Sequence, residues 1–238
     1  MYSFNSRVRY SEVGENKKIT LHAILNYFQD CSTFQSEGLG VGLECMEKLK
    51  RVWVLNSWQI VVNRYADLCE EIVVETWPYD FSGFMGQRNF AMRSANGELL
   101  AYANSLWSFL DTTCMRPVRV PEQVSGAYEL EEKLDMDYAP RKIPVPKGAV
   151  LQEAFPVQKS HLDTNHHVNN GQYVLMAKDY LPDGFEIGQM RAEYKMSAVL
   201  GDVIYPWVKL EEALCTVALC NESGKVFATV EFAGRVSV

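Results

Sequence analysis

The sequence predicts an α+β fold in two tandem halves, each a long helix wrapped by an antiparallel sheet. Three observations carry this expectation: a helical apolar stripe followed by alternating segments within 1–120, a connector rich in proline and charge at 121–155, and the return of the first pattern within 156–238. With 238 residues, 47% of them apolar and 22% charged, the chain has a globular composition and the length for two units sharing a core.

The first half opens with a helix expected over 20–36. Leu21, Ile24, Leu25, Phe28 and Cys31 recur at helical spacing, and Thr20 is placed to cap the first turn. Alternating, β-branched segments follow at 57–64, 70–77, 86–93 and 99–110, with Asn96-Gly97 as a hairpin turn. The connector then brings Pro121, Glu122, the charges of 129–133, Pro140, Pro144 and Pro146, a composition suited to extended chain lying over a surface.

The second half predicts a helix over 169–180 and strands at 188–197, 202–211, 214–221 and 225–237. The repeat aligns residue by residue: Asn96-Gly97-Glu98-Leu99-Leu100-Ala101 with Ser223-Gly224-Lys225-Val226-Phe227-Ala228, and Glu71-Ile72-Val73 with Asp202-Val203-Ile204. Wrapping each helix in a sheet buries the apolar stripe, and joining the sheets hides edge strands. Two separate α+β domains fit the same periodicity.

After the connector the run Ser160-His161-Leu162-Asp163-Thr164-Asn165-His166-His167-Val168-Asn169-Asn170-Gly171-Gln172-Tyr173 is too polar for an ordinary buried element. If extended, it projects Asp163, Asn165 and His167 to one side, because side chains alternate along an extended chain. A carboxylate or imidazole there can activate water, and an amide can orient it or donate to developing negative charge. Unpaired N–H groups at the following helix start, around Asn169 to Gly171, suit an oxyanion. A solvated polar turn leading into a capped helix accounts for the same composition.

His161, Asp163, His166 and His167 are all metal-ligand types, yet helical His spacing and a remote partner are missing, so no metal is expected. No cysteine lies in or beside the run to serve as nucleophile.

These residues resemble the acyl-ACP thioesterase family of plant plastids and bacteria, whose second half carries a D-x-N-x-H-x-N-N segment entering the helix of a hot-dog unit. Here that segment is Asp163, Asn165, His167, Asn169 and Asn170. The resemblance extends to Val8-Arg9-Tyr10-Ser11-Glu12-Val13-Gly14, Val61-Val62-Asn63-Arg64-Tyr65 and Ala103-Asn104-Ser105-Leu106-Trp107, and so covers nearly the whole chain. It implies a tandem double hot-dog in which 1–120 forms the acyl-chain pocket and 156–238 the catalytic unit. It also implies hydrolysis, without a cofactor, of the thioester joining a fatty acyl chain to acyl carrier protein. Asp163, Asn165 and His167 carry over as the catalytic network. The family's second glutamate aligns with Ser197, a departure; Glu193, four residues earlier on an expected strand, is a helper candidate on the same side. Trp53, Trp58, Phe81, Phe84, Phe90 and Trp107 could line an acyl tunnel or form plain core. An acyl-CoA thioesterase on the same fold and a non-catalytic acyl-binding protein are the competing readings.

The formal charge of −7 argues against nucleic-acid binding, which needs a basic face. A small acidic carrier could still dock on Lys48, Lys50 and Arg51, on Arg116 and Arg119, or on Arg141, Lys142 and Lys147, although a solvated surface explains each cluster. No apolar run reaches the roughly 20 residues of a membrane helix, and the start lacks a secretory core. The expected compartment is therefore the cytoplasm, with all six cysteines reduced. Exposed sheet edges are compatible with a homodimer.

Overall fold

The computed structural model describes residues 1–235. The chain divides into two compact units, one of Met1–Asn56 with Ile60–Tyr138, the other of Ser57–Gln59 with Ala139–Val238.

The first unit contains β1 (Tyr2–Arg7), α1 (Leu21–Gly38), α2 (Leu43–Leu49), β2 (Arg51–Val62, of which Ser57–Gln59 group with the other unit), β3 (Glu71–Ser82), β4 (Met85–Ser94), β5 (Leu99–Asp111), β6 (Arg116–Pro117) and α3 (Glu122–Ser125). The strand order is β1-β3-β4-β5-β2, with β6 beside β5. Thr20 caps α1 as expected, its hydroxyl accepting from Ala23 N at 3.2 Å. The buried stripe of the helix, Leu21, Ile24, Leu25, Phe28 and Cys31, packs on β3 and β4, where Phe28 lies 5.2 Å from Phe90 between ring centroids.

One buried charge interrupts this core. Arg88 on β4 donates to Gln35 and to Thr76 Oγ1 and lies 5.4 Å from the centroid of the Tyr128 ring. Burial pulls its pKa below the ordinary guanidinium value. Among the described residues it has no carboxylate partner, so an amide, a hydroxyl and an aromatic face satisfy it instead.

Of the aromatic residues offered as tunnel lining, Trp53 and Phe81 join Phe109 and Tyr128 in a cluster with Val41, Met46, Val120 and Val124. Gly86 lets the backbone approach them closely: a Cβ there would lie 3.1 Å from both Trp53 and Phe81, so the rings would have to give by a few tenths of an ångström. Phe90 is core beneath α1, Phe84 is exposed, and Trp58 belongs to the other unit.

The second unit contains β7 (Val150–Leu151), β8 (Phe155–Pro156), α4 (Asn170–Lys178), β9 (Ile187–Tyr194), β10 (Val203–Glu211), β11 (Leu214–Cys220) and β12 (Val226–Gly234). Its order is β9-β12-β11-β10-β7, with β8 also beside β10. The helix packs on β11 and β12 and has 9 residues against 18 in α1. Positions 236 and 237 of the expected last strand lie outside the described residues. So does 238.

The repeat holds at the level of single hydrogen bonds. Gly97 N and Gly224 N donate to Ser94 O and Asn221 O, each at 2.9 Å, and both glycines take the positive φ that their hairpin turns require. The β3/β10 alignment moves by one residue. Val8 N donates to Glu70 O as Val157 N donates to Asp202 O, so Asp202 corresponds to Glu70 and not to Glu71. The physical reason is the strand period: this register matches buried Ile72 with buried Ile204, whereas a one-residue slip would set Ile72 against exposed Val203.

Phe28→Ala removes a fully buried ring from the α1–sheet contact. It should lower unfolding free energy by about 3–5 kcal/mol in chemical denaturation.

Candidate active site

The polar run ahead of α4 is not extended. After a 3-10 turn at Lys159–His161 the chain forms a narrow hairpin: Leu162 and Val168 bridge antiparallel, and Asp163 N donates to His167 O at 2.8 Å. His166 turns the corner with φ at +61°, and its N–H donates to Asp163 O at 3.1 Å. The alternation argument for bringing Asp163, Asn165 and His167 together therefore fails.

What joins them is the Asp163 carboxylate. Its Oδ1 accepts from Asn165 N at 2.8 Å and from His167 N at 3.2 Å, a side-chain-closed turn of the kind Asp favours. Among the described residues, Oδ2 takes no hydrogen bond, and no side-chain bond links Asp163, Asn165 and His167 to one another. Asn165 is exposed, whereas Asp163 and His167 are half-buried. Their composition, rich in Asp, Thr, Asn and His, was itself the signal for a turn.

Main-chain bonds hold this turn to the end of the sheet. Val168 N donates to Ala198 O at 2.9 Å, and His167 bridges to Val199. Ala198 N in turn donates to the Tyr173 hydroxyl at 2.8 Å, while Tyr194, on β9, donates its hydroxyl to Asn170 O at 3.1 Å. Burial pushes the Tyr173 hydroxyl up to about 12, with the Asp202 and Asp163 carboxylates adding to the shift, so it stays protonated through neutral pH. Neither tyrosine is given a role by the sequence, because a hydroxyl that binds a backbone group leaves no periodic trace.

The helix start offers fewer donors than expected. Asn169 N donates to His161 O at 2.9 Å, and Gly171 N donates to the Asn169 side chain at 2.8 Å. Gln172 N donates to Asn169 O at 2.9 Å. Of the three N–H groups from Asn169 to Gly171, only that of Asn170 makes no hydrogen bond among the described residues.

Glu193 and Ser197 do not share a strand face. β9 ends at Tyr194, and Ser197 lies exposed in the following loop. Glu193 is buried and already engaged: its Oε2 accepts from Ile143 N at 3.0 Å and lies 3.5 Å from Lys195 Nζ. Among the described residues no group of three or more His, Cys, Asp or Glu is arranged to hold a metal. All six cysteines are free, and burial pushes the Cys31 thiol up to about 12, which leaves it unreactive.

The first unit contains the same turn with different residues. Gly14 N donates to Lys18 O at 3.0 Å, Lys17 N donates to Gly14 O at 2.9 Å, and Lys17 also has φ at +61°. Ile19 N donates to Ala66 O at 2.8 Å as Val168 N does to Ala198 O. Gly14, Asn16 and Lys18 thus occupy the places of Asp163, Asn165 and His167. The carboxylate and the imidazole are present in the second copy alone.

The model of the acyl-ACP thioesterase N-terminal domain matches residues 1–128, and that of the acyl-ACP thioesterase C-terminal domain matches residues 146–232. The chain belongs to the acyl-ACP thioesterase family. A chloroplastic dodecanoyl-[acyl-carrier-protein] hydrolase of Cinnamomum camphora is 27% identical over 83% of this chain and 56% of its own length. The chain spans about half the length of the curated relatives it matches, 51% to 57% of the first three. Two solved structures share the hot-dog fold over 98% of this chain and 97% of theirs. An acyl-ACP thioesterase from Bacteroides thetaiotaomicron is 19% identical with a TM-score of 0.89, and the 12:0-ACP thioesterase from Umbellularia californica is 22% identical with a TM-score of 0.86.

Tyr173→Phe leaves the buried Ala198 N–H without its acceptor. Urea unfolding should show a loss of about 1–3 kcal/mol, the cost of an unsatisfied buried donor.

Proposed function

We propose that this chain hydrolyses the thioester of fatty acyl-ACP, releasing free fatty acid and ACP in fatty acid biosynthesis. The observation that carries the reading is the Asp163 turn: a carboxylate with one oxygen fixed by two backbone N–H groups and the other open, followed by His167 and a helix start with a donor to spare. The family membership of both halves supports it.

In this reading Oδ2 of Asp163 takes a proton from water as the water oxygen attacks the thioester carbon. The C–S bond then breaks, and the carrier thiolate leaves and is protonated. Asn165 orients the water, His167 polarises the reacting groups, and Asn170 N donates to the oxyanion. The second unit supplies this chemistry, and the first takes the acyl chain, with the Trp53, Phe81 and Phe109 cluster beside Gly86 as its apolar ground. Direct attack by Asp163 is separated from activation of water by turnover in heavy-oxygen water, since only attack leaves label in the Asp163 carboxylate. The free cysteines suit a reducing compartment, and we assign the protein to the cytoplasm. Among the described residues no helix is long and apolar enough to cross a membrane.

Asparagine can close the same turn through its amide oxygen, so Asp163→Asn isolates the chemistry from the fold. Free-thiol release from a panel of acyl-ACPs of graded chain length should fall by about two orders of magnitude or more in Asp163→Asn and in His167→Ala, with unfolding of Asp163→Asn close to wild type. Near-normal turnover by Asp163→Asn would remove the mechanism. Acyl-CoA measured alongside tests the choice of carrier.

A further inference from the structure

The guanidinium buried beneath α1 leaves most of its hydrogen-bonding capacity unused. Arg88 commits only Nη1, which donates to Gln35 Oε1 and to Thr76 Oγ1. Among the described residues, Nε and Nη2 have no acceptor. These two nitrogens form the side-on edge of the group, where parallel N–H bonds match the two oxygens of a carboxylate.

The chain brings no acid to that edge. Arg7, Arg51, Arg64, Arg93 and Arg191 each hold a carboxylate at 3.0 Å or less, and each is more exposed than Arg88. Burial lowers the pKa of Arg88, the Tyr128 and Cys31 side chains oppose that shift, and among the described residues no acid contributes. A buried cation without a counterion is costly, and an anion brought by a ligand removes that cost.

The place is neither sealed nor polar. Arg88, Gln35 and Tyr128 keep 8%, 7% and 8% of their surface accessible. The Tyr128 ring, which the guanidinium faces at 5.4 Å, lies 5.6 Å from Phe81 between centroids and shares a cluster with Val41, Met46 and Phe109. An inorganic anion would satisfy the charge and gain nothing from these side chains. A carboxylate on a hydrocarbon chain uses both.

We propose that the Nε and Nη2 edge of Arg88 binds a carboxylate carried on a hydrocarbon chain, whose aliphatic part lies against the Phe81, Phe109 and Tyr128 cluster. Two sources share this chemistry: a free fatty acid, and an acyl group that bears a carboxylate at its far end. The proposal stands apart from the hydrolase reading, since binding requires no turnover.

Isothermal titration at neutral pH compares decanoate, below its micelle concentration, with decanol. An apolar pocket alone prefers the alcohol, whereas a buried cation prefers the anion. Wild type should bind decanoate about tenfold or more tighter than decanol. In Arg88→Met that preference should vanish or reverse, and Arg88→Lys, with a point charge and no fork, should keep part of it. Monomethyl decanedioate, whose blocked end imitates a thioester, separates the sources. Binding tighter than that of decanoate assigns the site to a carboxylated acyl group, and weaker binding assigns it to the free acid. Wild type that binds decanol as tightly as decanoate, or binds none of the three, overturns the proposal, as does a folded Arg88→Met that still prefers the acid. Should Arg88→Met fail to fold, Arg88→Lys decides: decanoate binding as tight as in wild type overturns the proposal.

Discussion

A main-chain hydrogen bond, Val168 N–H to Ala198 C=O in one unit and Ile19 N–H to Ala66 C=O in the other, fastens the turn before each helix to chain leaving the sheet. Val168, Ala198, Ile19 and Ala66 are all buried, so these donors and acceptors have no water to turn to and must find each other. Much else follows from that requirement. The bond sets where each helix begins, and it places position 167 or 18 opposite position 199 or 67. In the second unit it also fixes Ala198 through its C=O, and Tyr173 holds the same residue through its N–H.

Around that fixed point the two units spend their side chains differently. The first invests in its interior, with the α1 stripe, the aromatic cluster beside Gly86 and a buried guanidinium bonded to an amide and a hydroxyl. Its turn is left to ion pairs at the surface. The second has a helix of half the length, and polar groups concentrate at the helix start. Buried polar partners there, such as Tyr173 and Glu193, bind backbone N–H groups of neighbouring loops. Such bonds rigidify a loop without adding apolar area.

Periodic features were legible in the sequence. The stripe of Leu21, Ile24, Leu25, Phe28 and Cys31 gave α1 and its cap, and Asn96-Gly97 with Ser223-Gly224 located both hairpins, because helix period and glycine conformation are local properties. β1 and α2 were missed. Tyr2–Arg7 alternates but offers only Tyr2 and Phe4 as apolar positions, and Leu43–Leu49 is shorter than two full turns, so each gives too short a signal to stand out. The one-residue error at Asp202 arose where acidic residues stand side by side, at Glu70 and Glu71, and only the pleat could choose between them. At the candidate site the sequence drew attention to the polar run but not to its arrangement. Alternation presumes an extended chain, and the carboxylate that was to react also folds the segment into a turn.

The glycine at position 14 bears on that double role. The first-unit turn closes on backbone bonds, with Asn16 Oδ1 assisting Lys18 N at 3.1 Å, and needs no carboxylate at all. The shape of this loop is therefore indifferent to whether an acid is present. A scaffold of this kind can gain or lose reactive groups without refolding. An inert descendant would look and melt like its active parent, distinguishable only by the atoms at three positions.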